Sequence, residues 1–265
     1  MISRLFLVTW LSLLGGMSAQ AAAGRPEHRT LTATKTKLAY DLVVTLPADY
    51  DTSGKAYPVL YILGDRDYLL QSILQKDKQA REKLPALITV NVSPLPLADA
   101  PALTVRDSTL LKVAHQESTT GGAGAFLDFI EDDLIPAIQG TYRTSPSDRG
   151  LVGHGYAGTF AIYVLAVHHS LFTRVVAASP MLGADDRLLF KVIKSEMRRL
   201  PQPGRLDLSV GDEGDTTADV AALAKLLDEM KVANLDYRFT HLSGEKPNSV
   251  RHVSILQGLI WVYRP

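Results

Sequence analysis

The sequence predicts an α/β fold: one doubly wound, mostly parallel sheet with helices on both faces. Three observations carry that expectation. Residues 57–63 and 87–92 are short, nearly continuous apolar runs, the pattern of strands buried on both faces. Strand-like and helix-like segments alternate along the chain with no composition break that would mark a linker, and no internal repeat is visible. Between Asp148 and Leu165 an apolar strand end meets the small-residue cluster Gly153-His154-Gly155-Tyr156-Ala157-Gly158, and a helical run follows at once.

The chain opens with Arg4, an apolar stretch over 5–14 and Ala19-Gln20-Ala21, which together predict a cleaved export signal over 1–21. Cleavage after Ala23 is the alternative. The apolar stretch is too short to span a bilayer, and nothing later is longer. Residues 22–265 then form a single exported domain, periplasmic or secreted. With no cysteine, it has neither disulfides nor a cysteine-linked lipid. A loosely alternating strand is expected over 38–46, ending at Pro47. The 57–63 strand stops at Gly64-Asp65, a helix follows over 67–82, and the next strand occupies 87–92. Residues 93–122 hold three prolines and Ser118-Thr119-Thr120-Gly121-Gly122, a long connection of the kind that carries binding groups. Phe126, Ile130, Leu134 and Ile138 recur at four-residue steps in a helix over 123–139. After the helix that follows Gly155 come strands at 174–178, 205–210 and 235–240. Helices are expected near 186–199, at 217–231 and at 249–263.

A length of 265 residues with 46% hydrophobic content suffices for one sizeable core. Lys plus Arg number 28 and so do Asp plus Glu, with no block of like charge, which argues against nucleic acid or an anionic membrane as partner.

Taken together, these stretches resemble the putative-esterase family of α/β-hydrolases, which includes enterobactin-type siderophore esterases and related exported esterases. The resemblance covers nearly all of residues 22–265. Tyr57 to Gly64 matches the family's Y-P-V-L-Y-L-L-D-G strand, Arg106-Asp107-Ser108-Thr109 its R-x-x-D-L-T-like loop, and Gly121 to Pro136 its G-G-A-x-x-F-L helix. Tyr142-Arg143-Thr144, Ala177-Ala178-Ser179-Pro180 and Gly211-Asp212-Glu213-Gly214 match further motifs. The family's E-T-H-x-S-V is to be compared with Glu245-Lys246-Pro247-Asn248-Ser249-Val250, followed by Gly258-Leu259. The stretch around Gly155 is the strand–turn–helix context of the G-x-S-x-G nucleophile elbow.

The resemblance implies a serine hydrolase, whose chemistry needs a hydroxyl, an imidazole and an orienting carboxylate. Here Gly155 stands at the nucleophile position and Pro247 at the histidine position; only the acid position is filled, by Glu213. The strand-end turn that donates one oxyanion hydrogen bond in the family reads Gly64-Asp65 instead of Asp-Gly. No catalytic set is intact. Glycine at an elbow also relieves backbone strain, so the change is expected to favour stability once catalysis is not selected.

Other residues have ordinary explanations. His154 beside the elbow is expected to pack, since the family carries a histidine there beside an intact serine. His252 falls on the last helix and is expected to face solvent or a carboxylate. His168-His169 suits a helix C-terminus, and Ser179 a strand-end turn. Asp212, Glu213 and Asp215 have no further ligand at recognisable spacing, so neither a metal nor another cofactor is expected.

The sequence therefore predicts a non-hydrolytic exported esterase homologue that binds a small ligand, anionic or siderophore-like, or a protein partner. The ligand-binding residues expected are Gly64, Asp65, Arg106, His154, Gly155 and Tyr156. Two alternatives stand: an ester hydrolase with a rearranged site using Ser179 or Ser108 with His252, and a purely protein-interacting module.

Overall fold

The apolar runs form strands that divide their side chains between two helical layers. The computed structural model describes residues 26–64, 77–96, 107–109 and 120–265. The strands are β1 (Glu27–Thr32), β2 (Ala39–Thr45), β3 (Tyr57–Leu63), β4 (Ile88–Pro94), β5 (Thr144–His154), β6 (Arg174–Ala178), β7 (Arg199–Val210) and β8 (Ala233–His241). They form one sheet in the order β1-β2-β4-β3-β5-β6-β7-β8. Pairing from β4 through β8 is parallel, and β2 alone runs against its neighbours.

The helices are α1 (Tyr50–Ser53), α2 (Lys78–Lys83), α3 (Ala123–Phe129), α4 (Ile135–Thr141), α5 (Tyr156–Val167), α6 (Ala184–Glu196), α7 (Asp215–Met230) and α8 (Pro247–Val262). Val59, Tyr61 and Leu63 of β3 join Leu151, Val175 and Ala177 in a core shared with Phe126, Ile130 and Phe160. Leu60 and Ile62 point the other way, with Val152, Val176 and Ala178, beneath Ile255, Leu256 and Leu259 of α8. This two-residue alternation is why the strands read as unbroken apolar runs.

The 123–139 helix carries a π-helical turn, Ile130–Leu134, between α3 and α4. A strict four-residue step overshoots the 3.6-residue turn by about 40° each time. The wider π turn absorbs part of that drift, so Phe126, Ile130, Leu134 and Ile138 all stay buried.

The structure adds elements that the pattern did not show. β1 is an edge strand, EHRTLT, exposed at all but Leu31, so it offers no apolar alternation to read. β7 begins at Arg199 rather than 205, so the helix expected near 186–199 ends short of it, as α6 at Glu196, and β5 runs from Thr144. The export signal over 1–21, most of the 67–82 helix, and most of the long connection lie outside the described residues. Within that connection, Thr109 accepts the Gly121 N–H on its hydroxyl at 2.7 Å and the Ala123 N–H on its carbonyl at 3.1 Å. Residues 107–109 thereby dock on the start of α3. Among the described residues no helix is long and apolar enough to cross a membrane.

Candidate functional site

The chain turns most sharply where β5 meets α5. Gly155 sits there with φ 60° and ψ −127°, a backbone conformation that strains any residue carrying a side chain. The glycine thus keeps the elbow's backbone rather than relaxing it. Its N–H donates to Ala178 O at 3.0 Å, and its carbonyl accepts the Thr159 N–H at 3.1 Å. Among the described residues a Cβ at Gly155 would meet nothing within 4 Å, whereas one at Gly153 would stand 2.2 Å from Ala157 O. Close approach of strand and helix therefore demands glycine at 153, while no described residue crowds the elbow position.

The other positions gather on the same edge of the sheet, beyond the C-terminal ends of the parallel strands, where open α/β sheets place ligands. Gly64 ends β3 with φ 69° and donates to Val92 O at 3.1 Å. Leu63 pairs in register with Gly153, so Gly64 lies beside the elbow. Glu213 follows β7. Its Oε1 accepts the Ser179 hydroxyl at 2.5 Å and the Gly211 N–H at 2.9 Å. Its own N–H donates to Thr217 Oγ1 at 2.8 Å, and that hydroxyl donates to Gly211 O at 2.7 Å. The segment after β8 is bound to this turn, because the Asp212 N–H donates to Glu245 O at 2.7 Å. The Gly244 N–H, first, and His241 Nε2, second, hold the Asp212 carboxyl below the usual range. Pro247, two residues past Glu245, is the first residue of α8, a place where a missing N–H costs nothing.

His154 ends β5. Among the described residues its Nε2 is buried without a hydrogen-bond partner. Burial lowers its pKa from 6.5 to about 4, Arg251 pushes the same way, and Glu213 opposes them. The imidazole is therefore neutral at pH 7.

The structure thus brings Gly64, His154, Gly155, Tyr156, Glu213 and Pro247 to one sheet edge. Asp65 and Arg106 lie outside the described residues. His252 is exposed on α8. His168 pairs with Glu131 at 2.9 Å, and the ring of His169 bonds Leu165 O at 2.8 Å. Among the described residues no group of three or more His, Asp or Glu could hold a metal ion. A cleft of about 460 Å³ exists, but it lies near Arg174, Arg205 and Asp236, at the opposite edge.

Sequence reasoning missed two residues here. Ser179, read as a turn residue, is 1% exposed, has φ 44° and holds the acid. Met181, whose N–H reaches Gly155 O at 3.4 Å, is 38% exposed and is the exposed large apolar side chain among the described residues. Neither signal is local: each depends on β6 ending beside the elbow.

The sequence profile of the "Putative esterase" family matches residues 33–233. A relative in Bacillus subtilis (strain 168), a ferri-bacillibactin esterase, is 26% identical over 153 residues, 55% of this chain and 53% of its own length. A siderophore triacetylfusarinine C esterase of Aspergillus fumigatus is 38% identical over 63 residues, 23% of this chain and 22% of its own. The chain thus spans about half of the first relative and under a quarter of the second. Among solved structures, the BES protein from Bacillus cereus superposes with a TM-score of 0.80 at 19% identity, covering 100% of this chain and 99% of the other. An IroE-like serine hydrolase from Shewanella oneidensis gives 0.78 at 24% identity, covering 90% and 80%. The fold is that of the α/β-hydrolases.

Proposed function

The chain belongs to the putative-esterase family, and from that premise we propose that it is a non-hydrolytic member, exported from the cell, that binds a small ligand at the vacated elbow. What supports this reading is Gly155: it sits at the sharp β5–α5 turn with φ 60° and ψ −127°, where the resemblance puts the nucleophile, and it has no side chain to attack with. Pro247, at the position where the resemblance puts the base, has no proton acceptor in its side chain. The serines that could substitute are inward: Ser179 and Ser108 are 1% and 2% exposed, and the Ser179 hydroxyl is committed to Glu213.

In this reading the ligand rests on the turn formed by Gly64, His154, Gly155 and Tyr156, with Asp65 and Arg106 from the neighbouring loops. An anionic group suits the positive end of α5. Because the Gly155 N–H is engaged by Ala178 O, such a group would be met from Tyr156 onward. Met181 offers an apolar contact at the rim. Since two relatives are siderophore esterases by name, a siderophore or a fragment of one is the ligand class to try first.

Calorimetry with acetate, inorganic phosphate, a catecholate siderophore and a hydroxamate siderophore tests the reading, repeated on Gly155→Leu. The leucine fills the open space before the turn without β-branching. Saturable binding lost in that variant is expected. Absence of binding throughout, or binding indifferent to the leucine, removes the elbow as the ligand site.

A further inference from the structure

Helix α8 is docked on the sheet by more than apolar contact. Along β7 every second residue faces it. Arg205 Nη1 donates to Val262 O at 3.1 Å. A Cβ on Gly258 would stand 2.6 Å from Asp207 Oδ2, and one on Gly211 would stand 3.1 Å from Val250 Cγ2. The pairing steps two residues along the strand for each four along the helix, so the remaining rung sets Ser209 against Ser254. β8 repeats the ladder with opposite charge, Asp236 beside Arg205 and Arg238 beside Asp207. Arg238 donates to Asp207 Oδ1 through Nε at 2.7 Å and Nη2 at 2.6 Å. It also reaches α8, through Nη2 to Gln257 O at 3.1 Å and by lying 5.3 Å from the centre of the Trp261 ring.

The middle of this ladder is unsatisfied. Asp207, Ser209 and Ser254 are 0%, 2% and 1% exposed. Asp207 Oδ2, Ser209 Oγ and Ser254 Oγ have no hydrogen-bond partner among the described residues. Three such oxygens at one interface are costly unless something joins them. A water bridging them would make about three hydrogen bonds, as buried waters ordinarily do. A proton on Oδ2 would instead make that oxygen a donor to the same water.

We propose that Asp207 is a proton-operated latch on α8. Ionised, it is held among the described residues by Arg238, with an ordered water linking Oδ2 to the two serine hydroxyls; protonated, it donates from Oδ2 to that water and leaves no buried charge beneath the helix. Arg238, with its side chain 30% exposed, keeps its own charge hydrated in either state.

The charged group that faces Asp207 is Arg238 from β8; Arg205, two residues away on its own strand, bonds main-chain carbonyls at the end of α8. α8 brings Ser254, Gly258 and the Gln257 carbonyl, and β6 brings Val176. Burial raises the Asp207 carboxyl from 3.8 to about 6, and Arg238 opposes this only in part. A raised folded-state value means that docking is firmest at low pH and weakens as pH climbs through about 6. α8 begins at Pro247, and Arg251, in its second turn, acts on the charge of His154 beside the elbow, so the latched helix bears on that edge whether or not the elbow binds a ligand.

Hydrogen exchange of the α8 amides, corrected for intrinsic rate, tests this at pH 5 and pH 7.5 in the unsubstituted protein and Asp207→Asn. The increase in α8 opening between the two pH values is expected to be on the order of tenfold larger in the unsubstituted protein. Equal increases overturn the proposal. Carbon-13 titration of the unsubstituted protein needs no variant: one carboxyl signal should titrate near pH 6, with α8 amide shifts following it. Titration of every carboxyl in the ordinary acid range, or α8 amides that ignore the transition, also overturns it.

Discussion

Replacing Gly155 with serine restores the hydroxyl at the elbow and measures what the glycine contributes. The backbone at φ 60°, ψ −127° disfavours any side chain, at a cost of about 1–3 kcal/mol. Sterics from the described residues add nothing, since among them a Cβ there has no neighbour within 4 Å. For a chain of this size that corresponds to a melting temperature lower by roughly 3–10 °C. Gly153→Ser is the matched control. Its Cβ would overlap Ala157 O at 2.2 Å and Ala157 C at 2.3 Å, main-chain atoms that cannot step aside. That loss should exceed about 4 kcal/mol, the range reserved for disrupted packing. Urea unfolding with a shared slope separates the two variants. A Gly155→Ser protein as stable as the parent, or as damaged as Gly153→Ser, would refute the strain argument.

Gly155→Ser alone should show no ester turnover, because position 247 holds no base. Gly155→Ser with Pro247→His should give measurable p-nitrophenyl acetate hydrolysis, with Glu213 as the orienting acid, and robust turnover by the single variant would show that Pro247 is not the base position. Ser179→Ala should cost about 1–3 kcal/mol in urea, since Glu213 loses a hydroxyl donor; a neutral result would mean the bond contributes nothing. His154 should remain neutral in nitrogen-15 spectra down to about pH 5, given a pKa near 4. Its folded value lies below the unfolded 6.5, so this residue withdraws stability as pH falls through that window, opposite in sign to Asp207. Imidazolium signals at pH 6 would contradict that burial.

The central strands were legible because both of their faces are apolar: β3, β4 and β6 lie within a residue or two of where the runs of Val, Leu and Ile placed them. β1 was not, since an edge strand held by main-chain pairing needs no apolar side chain. The four-residue repeat from Phe126 to Ile138 announced the helix but not the π turn that accommodates it. At the site, the sharp turn at Gly155 could be located from the strand–turn–helix pattern alone. The hold of Ser179 on Glu213 could not, because it joins residues 34 apart in sequence through adjacent strand ends. The Asp207–Arg238 ladder was hidden for the same reason, as it exists only once the β7–β8 register is set.

The central claim is that no serine in this chain is an activated nucleophile. A fluorophosphonate probe, read by intact-protein mass spectrometry, tests it most directly. The account predicts no added mass in the native protein and labelling only when Gly155→Ser and Pro247→His are combined. Stoichiometric labelling of the unsubstituted chain, abolished by Ser179→Ala or Ser108→Ala, would contradict it.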